Sequence, residues 1–180
     1  MSRTFFISFL LSIWLFPISA GQPNELYWSS NEPITWDDFE GQKKYRSSFV
    51  AQTVSLIEQS FACKGDHFEF DIKAKFNKNK SWTITDKADV LKHERKHFDI
   101  TEVYARKMRK AYTELKYPCS YTMEQLGSIY DRYFDELKIV QEQYDIETNH
   151  GIYQMKQEEW DQLIARQLEE LEDWKDEPLD

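Results

Sequence analysis

Glycine and proline are scarce in this sequence, five of each in 180 residues, and cysteine is scarcer, with two. So few breakers exclude a low-complexity or linker-rich chain and leave room for long uninterrupted elements. Cys63 and Cys119 lie far apart and lack the short CxxC spacing of a structural zinc site or a dithiol redox motif. Basic charge is in deficit: 23 Lys and Arg against 32 Asp and Glu leave a formal net charge of −9. That balance argues against nucleic acid as a partner, because phosphate binding needs a basic surface. Part of the negative charge gathers between Glu158 and Asp180, where only Arg166 and Lys175 oppose it, and this reads as a solvated helix face or tail.

A long apolar run is missing too. The stretch Phe5 to Phe16 is almost wholly apolar, but about a dozen residues fall short of the roughly 20 that a helix needs to cross a bilayer. It follows Arg3 and leads into Pro17-Ile18-Ser19-Ala20, ending on a small residue before Gly21. That is the layout of a cleavable secretion signal. Residues 1–20 are therefore set aside as a signal peptide. The expected location is secreted or periplasmic, with no stable membrane insertion after cleavage. Residues 21–180 are one domain by length. In an oxidising compartment the two cysteines invite a disulfide stapling the N-terminal half to the helical half, which spacing alone leaves open.

Residues 26–84 read as strands and turns. Phe68, Phe70, Ile72, Ala74 and Phe76 alternate with Glu69, Asp71, Lys73 and Lys75, the period-two pattern of a sheet with one face on a core. Val50 to Glu58 alternates more loosely, Ser81 to Thr85 would be the next strand, and Ile34-Thr35-Trp36 a further short one. From Asp86 the pattern turns helical, with Thr85 or Asp86 as cap and no Gly or Pro before Pro118. A second helix should start at the capping box Thr122-Met123-Glu124-Gln125 and run to about Glu147. Gly151 then marks a break, and a third helix spans about Tyr153 to Trp174. Strands followed by helices predict an α+β fold. An antiparallel sheet of about three to four strands would pack on three C-terminal helices.

His93-Glu94-Arg95-Lys96-His97 is an HExxH pattern on the first helix. At about 100° per residue, positions i and i+4 share one face one turn apart, so two imidazoles there can reach one metal ion. The intervening glutamate then sits close enough to take a proton from a metal-bound water. On the helical wheel Val90, Glu94, His97, Thr101, Tyr104 and Met108 share the face of His93. Lys92, Arg95, Lys96, Asp99 and Arg106 fall opposite, toward water. A catalytic zinc takes three protein ligands. Glu102 lies about 140° around the helix from His97 and cannot close on the same ion. His67 reads as a surface residue in a polar turn. His150, beside Gly151 at the end of the second helix, would reach His93 if the two helices pack antiparallel. His150 is thus the expected third ligand, with Asp145 the alternative, or a hydrogen-bond partner of a ligand imidazole.

The run Leu91-Lys92-His93-Glu94-Arg95-Lys96-His97-Phe98-Asp99-Ile100-Thr101-Glu102, with Tyr104-Ala105-Arg106, resembles the HExxHFDIxExYAR segment of a bacterial family. That family is domain of unknown function number 922, described as predicted secreted zinc-dependent proteases. Tyr144-Asp145-Ile146-Glu147-Thr148-Asn149-His150-Gly151 is similar to its second motif, YDxxTxHG, and Lys80-Ser81-Trp82 to a segment before its metal helix. The likeness runs from about Ile34 to Trp160. It implies a secreted, zincin-like metallopeptidase domain over residues 21–180, with His93 and His97 as zinc ligands, Glu94 as general base and His150 at the metal site. The expected activity is hydrolysis of a peptide bond in a protein or peptide substrate by a Glu-activated zinc-bound water. Alternatives are a periplasmic zinc-binding or scaffold module without catalysis, and a zinc amidase acting on cell-wall peptide. Tyr104, Tyr144 and Tyr153 are candidate oxyanion donors, each with a core role as the simpler reading.

Overall fold

The computed structural model describes residues 24–176, so the secretion signal expected at residues 1–20 lies outside the described residues. Five strands precede three helices: β1 (Glu25–Tyr27), β2 (Ala51–Gln52), β3 (Ser55–Lys64), β4 (His67–Asn77), β5 (Trp82–Thr83), α1 (Ala88–Thr113), α2 (Met123–Thr148) and α3 (Gln154–Glu170). The α+β expectation holds. Among the described residues no helix is long and apolar enough to cross a membrane.

The sheet differs from the expected three to four strands in one piece. β1, β4 and β3 form an antiparallel sheet in that order, while β2 and β5 pair separately. The run read as one strand from Val50 to Glu58 breaks at Thr53 and Val54. There the Val54 N–H donates to Ser81 Oγ at 2.9 Å and the Thr53 N–H to the Glu94 carboxylate at 2.7 Å. Side chains thus capture two amides and divide the strand. Nor is Ile34-Thr35-Trp36 a strand: Trp36–Asp38 form a short 3-10 turn. The Asp38 carboxylate accepts from the Thr35 N–H at 2.8 Å, a local alternative that competes with a ladder.

The sheet buries Ile57, Ile72, Ala74 and Phe76 against Phe98, Met108 and Tyr112 of α1, and the cluster continues through Leu126, Leu137, Trp160 and Ile164 of α2 and α3. Each of the Ile, Leu, Phe and Met side chains contributes about 1.5–3 kcal/mol by leaving water. Helix α1 starts at Ala88, with Lys87 as a cap lacking a side-chain bond, slightly later than Thr85 or Asp86 predicted. The Thr122–Gln125 capping box of α2 is formed as expected. Contacts between Tyr112 and Leu126, His97 and Gln141, and His93 and Asp145 run in opposite order along the two chains, so α1 and α2 are antiparallel.

Arg106 is not on a solvent face. It is 1 % exposed, because α3 and the C-terminal turn cover α1 on that side. Buried Glu102 accepts from Arg106 Nε at 2.9 Å and Arg109 Nη1 at 3.0 Å. Arg106 also reaches Glu172, and Arg109 the Trp174 carbonyl. Part of the acidic C-terminal run is therefore an anchor rather than a solvated tail, and Glu102 is committed to these arginines.

Cys63 of β3 and Cys119 are joined in a disulfide with 5.8 Å between their Cα atoms. It ties the sheet to the α1–α2 connection across 56 positions of sequence. Closing a loop of this size removes freedom from the unfolded chain, so replacing both cysteines by alanine should lower the unfolding free energy by about 2–4 kcal/mol. Urea unfolding of the double variant beside the wild type measures it, and an unchanged midpoint would refute the stapling role.

Candidate metal centre

Antiparallel packing of α1 on α2 brings together side chains distant in sequence. His93 Nε2 and His97 Nε2 lie 3.2 Å apart, and each is 3.1 Å from Asp145 Oδ1. Tetrahedral coordination with bonds of about 2.0 Å has ligand–ligand edges of about 3.3 Å. The three atoms therefore form a triangle of the size that one face of a zinc site requires. Among the described residues this is the one group of three His, Cys, Asp or Glu side chains whose ligand atoms converge in this way. Two imidazole nitrogens and a carboxylate oxygen are a donor set suited to zinc.

The rings are fixed from behind. Gln157 Nε2 donates to Asp161 Oδ1 at 2.9 Å and to the Tyr144 hydroxyl at 2.7 Å, which turns Gln157 Oε1 toward His93 Nδ1 at 3.0 Å. Gln141 Nε2 donates to the His97 carbonyl at 2.8 Å, so its Oε1 faces His97 Nδ1 in a short hydrogen bond. Each amide oxygen can only accept. In its neutral form each ring therefore carries its proton on Nδ1, which leaves the Nε2 lone pair directed at the common centre. Tyr144 stacks on His93 with centroids 4.6 Å apart and meets His97 edge-on at 4.9 Å. It is fully buried, and burial raises its pKa above the usual phenol value.

The end of α2 supplies the remaining groups. Asn149, His150 and Gly151 adopt φ of 48°, 53° and 81° in succession, a left-handed run that reverses the chain and costs about 1–2 kcal/mol for each non-glycine residue. A Cβ at Gly151 would sit 3.0 Å from His93 Cβ, so this position needs glycine for space as well as for φ. The turn brings His150 Nδ1 to 3.1 Å from Asp145 Oδ1, the same oxygen that the other two rings approach. Glu94 is buried, and one of its carboxylate oxygens is held by the Thr53 N–H. His67 stays exposed on the β3–β4 hairpin beside Glu69, in line with a surface role.

Burial disfavours charge on His97, but the hydrogen bond to Asp145 and the negative charges of Glu94 and Asp145 outweigh it and raise its pKa. Burial likewise pushes the Asp145 carboxyl up, yet the bonds and charges of His93 and His97 hold it well below the usual carboxylate range. Gln141, Gln157 and Thr53 were not singled out from the sequence. Gln141 lies four residues before Asp145, on the same helical face, and that spacing was its one available signal. Gln157 and the Thr53 backbone offered none.

A family model matches residues 43–151 of the chain. The chain belongs to the bacterial protein of unknown function family DUF922. The match includes the triangle, Glu94 and His150 but stops before α3, so within this DUF922 protein Gln157 acts on His93 from outside the matched segment. No curated protein and no solved structure matches the chain.

Leucine at Gln141 or Gln157 frees a ring to rotate or change tautomer. Each variant should bind zinc about 10–100-fold more weakly, as measured by chelator competition, with helix content unchanged by circular dichroism. The pKa directions give a second expectation for the zinc-free protein. The raised His97 pKa contributes stability in full below its ordinary value of 6.5, lost as pH rises through the folded value. The lowered Asp145 pKa contributes above its ordinary value of 3.8, lost as pH falls through the folded value. Both contributions are present together between about pH 4 and 6.5, where urea unfolding in chelator should give the highest stability. Affinity for added zinc should instead rise with pH across that window, because an ion bound there would displace a proton from His97.

Proposed function

We propose that this protein is an exported zinc-dependent hydrolase of zincin-like design, a peptidase in which His93, His97 and the end of α2 hold the ion. The observation that carries the reading is the triangle of His93 Nε2, His97 Nε2 and Asp145 Oδ1, with edges of 3.1–3.2 Å. The distances favour Asp145 as the third donor. His150 Nδ1, at 3.1 Å from that same oxygen, stands on the open side, where it steadies the carboxylate.

Zinc bound there supplies a Lewis acid that polarises a carbonyl and makes water acidic enough to ionise near neutral pH. Glu94, whose carboxylate is buried beside the two histidines' helix face, would serve as the proton acceptor and then as donor to the departing amine. Its anchoring to the Thr53 N–H keeps one oxygen occupied and leaves the other for proton transfer. Of the three tyrosines considered as oxyanion donors, Tyr144 and Tyr104 are committed to the core, whereas Tyr153 is exposed beside the turn. Tyr153 is the donor this reading retains.

A structural zinc module is the competing reading, and the closeness of His150 to Asp145 favours it specifically: four protein donors would close the ion to substrate. The two diverge at Glu94. Under the peptidase reading Glu94→Gln keeps one zinc per chain and loses about 10²–10⁴-fold of its peptide turnover. His93→Ala, His97→Ala and Asp145→Ala lose the metal, while His150→Ala retains it. Zinc content by atomic absorption and turnover of a broad peptide library measure these outcomes. Wild-type turnover by Glu94→Gln would end the peptidase reading.

A further inference from the structure

The site opens to one side. The His93 and His97 side chains are 3 % and 13 % exposed, but Asp145 and His150 are 33 % and 45 % exposed. Two segments carry apolar side chains into water next to the site's residues. On one, Phe49 sets its ring edge-on to His150 with centroids 4.7 Å apart, and Val50 follows it. On the other, Ile146 succeeds Asp145, and Ile152 and Tyr153 succeed the Gly151 that packs on His93. All five are exposed, Ile146 and Ile152 by two thirds. Scattered exposed apolar residues need no explanation, but five that touch a site residue or lie close to one in the chain point to a contact surface.

Charge adds a direction to this surface. Lys43, Lys44 and Arg46 lie on the loop that leads into Phe49, and no carboxylate among the described residues pairs with any of them. Lys44 rests instead over the Trp82 ring, 5.5 Å from its centroid. In a chain of net charge −9 this is a local cationic patch, and it would attract anionic groups and repel cationic ones. Arg46 is three residues from Phe49 across a turn, so the two lie within about 10 Å of chain at most.

Resting on the peptidase reading for its setting, we infer that the substrate is a peptide segment with bulky apolar side chains beside the bond presented to the metal centre and acidic residues a few positions away, facing the Lys43–Arg46 loop. The apolar residues fill the rim formed by Phe49, Val50, Ile146, Ile152 and Tyr153. The acidic residues fix which way the chain runs across it.

Recognition separates from hydrolysis in the zinc-loaded Glu94→Gln protein, whose peptide affinity is read by fluorescence anisotropy. Four labelled peptides of equal length serve as probes: a Phe-Leu or a Ser-Ser centre, each with Glu or Lys flanks. The Phe-Leu peptide with Glu flanks should bind about tenfold more tightly than either single exchange, a difference of about 1.4 kcal/mol. Its advantage over the Lys-flanked peptide should shrink as salt is added. Adding Lys43→Glu, Lys44→Glu and Arg46→Glu together should reverse the charge preference. Adding Phe49→Ser and Ile152→Ser should remove the apolar one. Equal binding of all four peptides, or a charge preference that survives the reversal, overturns the inference. The wild-type protein is assayed for cleavage in parallel. Cleavage without preference sinks the recognition proposal alone, and preferential binding without cleavage sinks the peptidase reading alone.

Discussion

Three hydrogen-bond acceptors pressed together at the α1–α2 interface are the constraint on which the rest of this structure depends. When both rings are neutral, the lone pairs of His93 Nε2 and His97 Nε2 face each other and Asp145 Oδ1 across 3.1–3.2 Å. Such a convergence is uphill unless a cation, whether a proton or a metal ion, is shared among the three atoms. Rotating a ring would relieve it. Gln141 and Gln157 oppose that rotation, since each presents a carbonyl oxygen that only an Nδ1–H can satisfy. The Tyr144 stack and the approach of Gly151 to His93 close the remaining freedom. The surroundings hold the three atoms at a spacing that a shared cation satisfies.

The parts of this arrangement that the sequence revealed are those set by helical period. His93, Glu94 and His97 fall on one face at 100° per residue, whatever the tertiary context. The Thr122–Gln125 box and the Asn149-His150-Gly151 break fixed the span of α2, and antiparallel packing then delivered its end to His93. Asp145 and His150 were both legible as a result. Their relation was not: whether an oxygen or a ring nitrogen completes the triangle depends on fractions of a turn, which no spacing encodes.

What escaped the sequence reading depends on partners outside the local segment. Gln157 belongs to α3, and its role exists only because Asp161 and Tyr144 occupy its amide nitrogen. Thr53 acts through a backbone N–H that alternation assigned to a ladder. Arg106 fell on the polar arc of the wheel because the wheel assumes one wet face. α1 is covered by the sheet on one side and by α2, α3 and the C-terminal turn on others, so a guanidinium lies buried where Glu102, one turn away, neutralises it. The Glu102–Arg106 spacing of i, i+4 was visible but reads equally well as a surface pair.

Rigidity and strain are distributed unevenly around the centre. The closed side consists of core packing and paired amides, whereas the open side consists of a left-handed run in which His150 holds φ of 53° with a full side chain. Strain of this kind persists only where surrounding contacts over-determine it, and it clusters at functional sites. Here the close approach of Gly151 to His93, the Asp145 carboxylate beside His150 Nδ1 and the Phe49 ring against His150 surround the turn. The same turn carries His150 toward Asp145 and leaves Ile152 and Tyr153 in water, so one short stretch of backbone places a ring beside the carboxylate and part of the apolar rim. Under the proposed function, a chain pressing on that part of the rim would bear on His150 and, through it, on the Asp145 carboxylate.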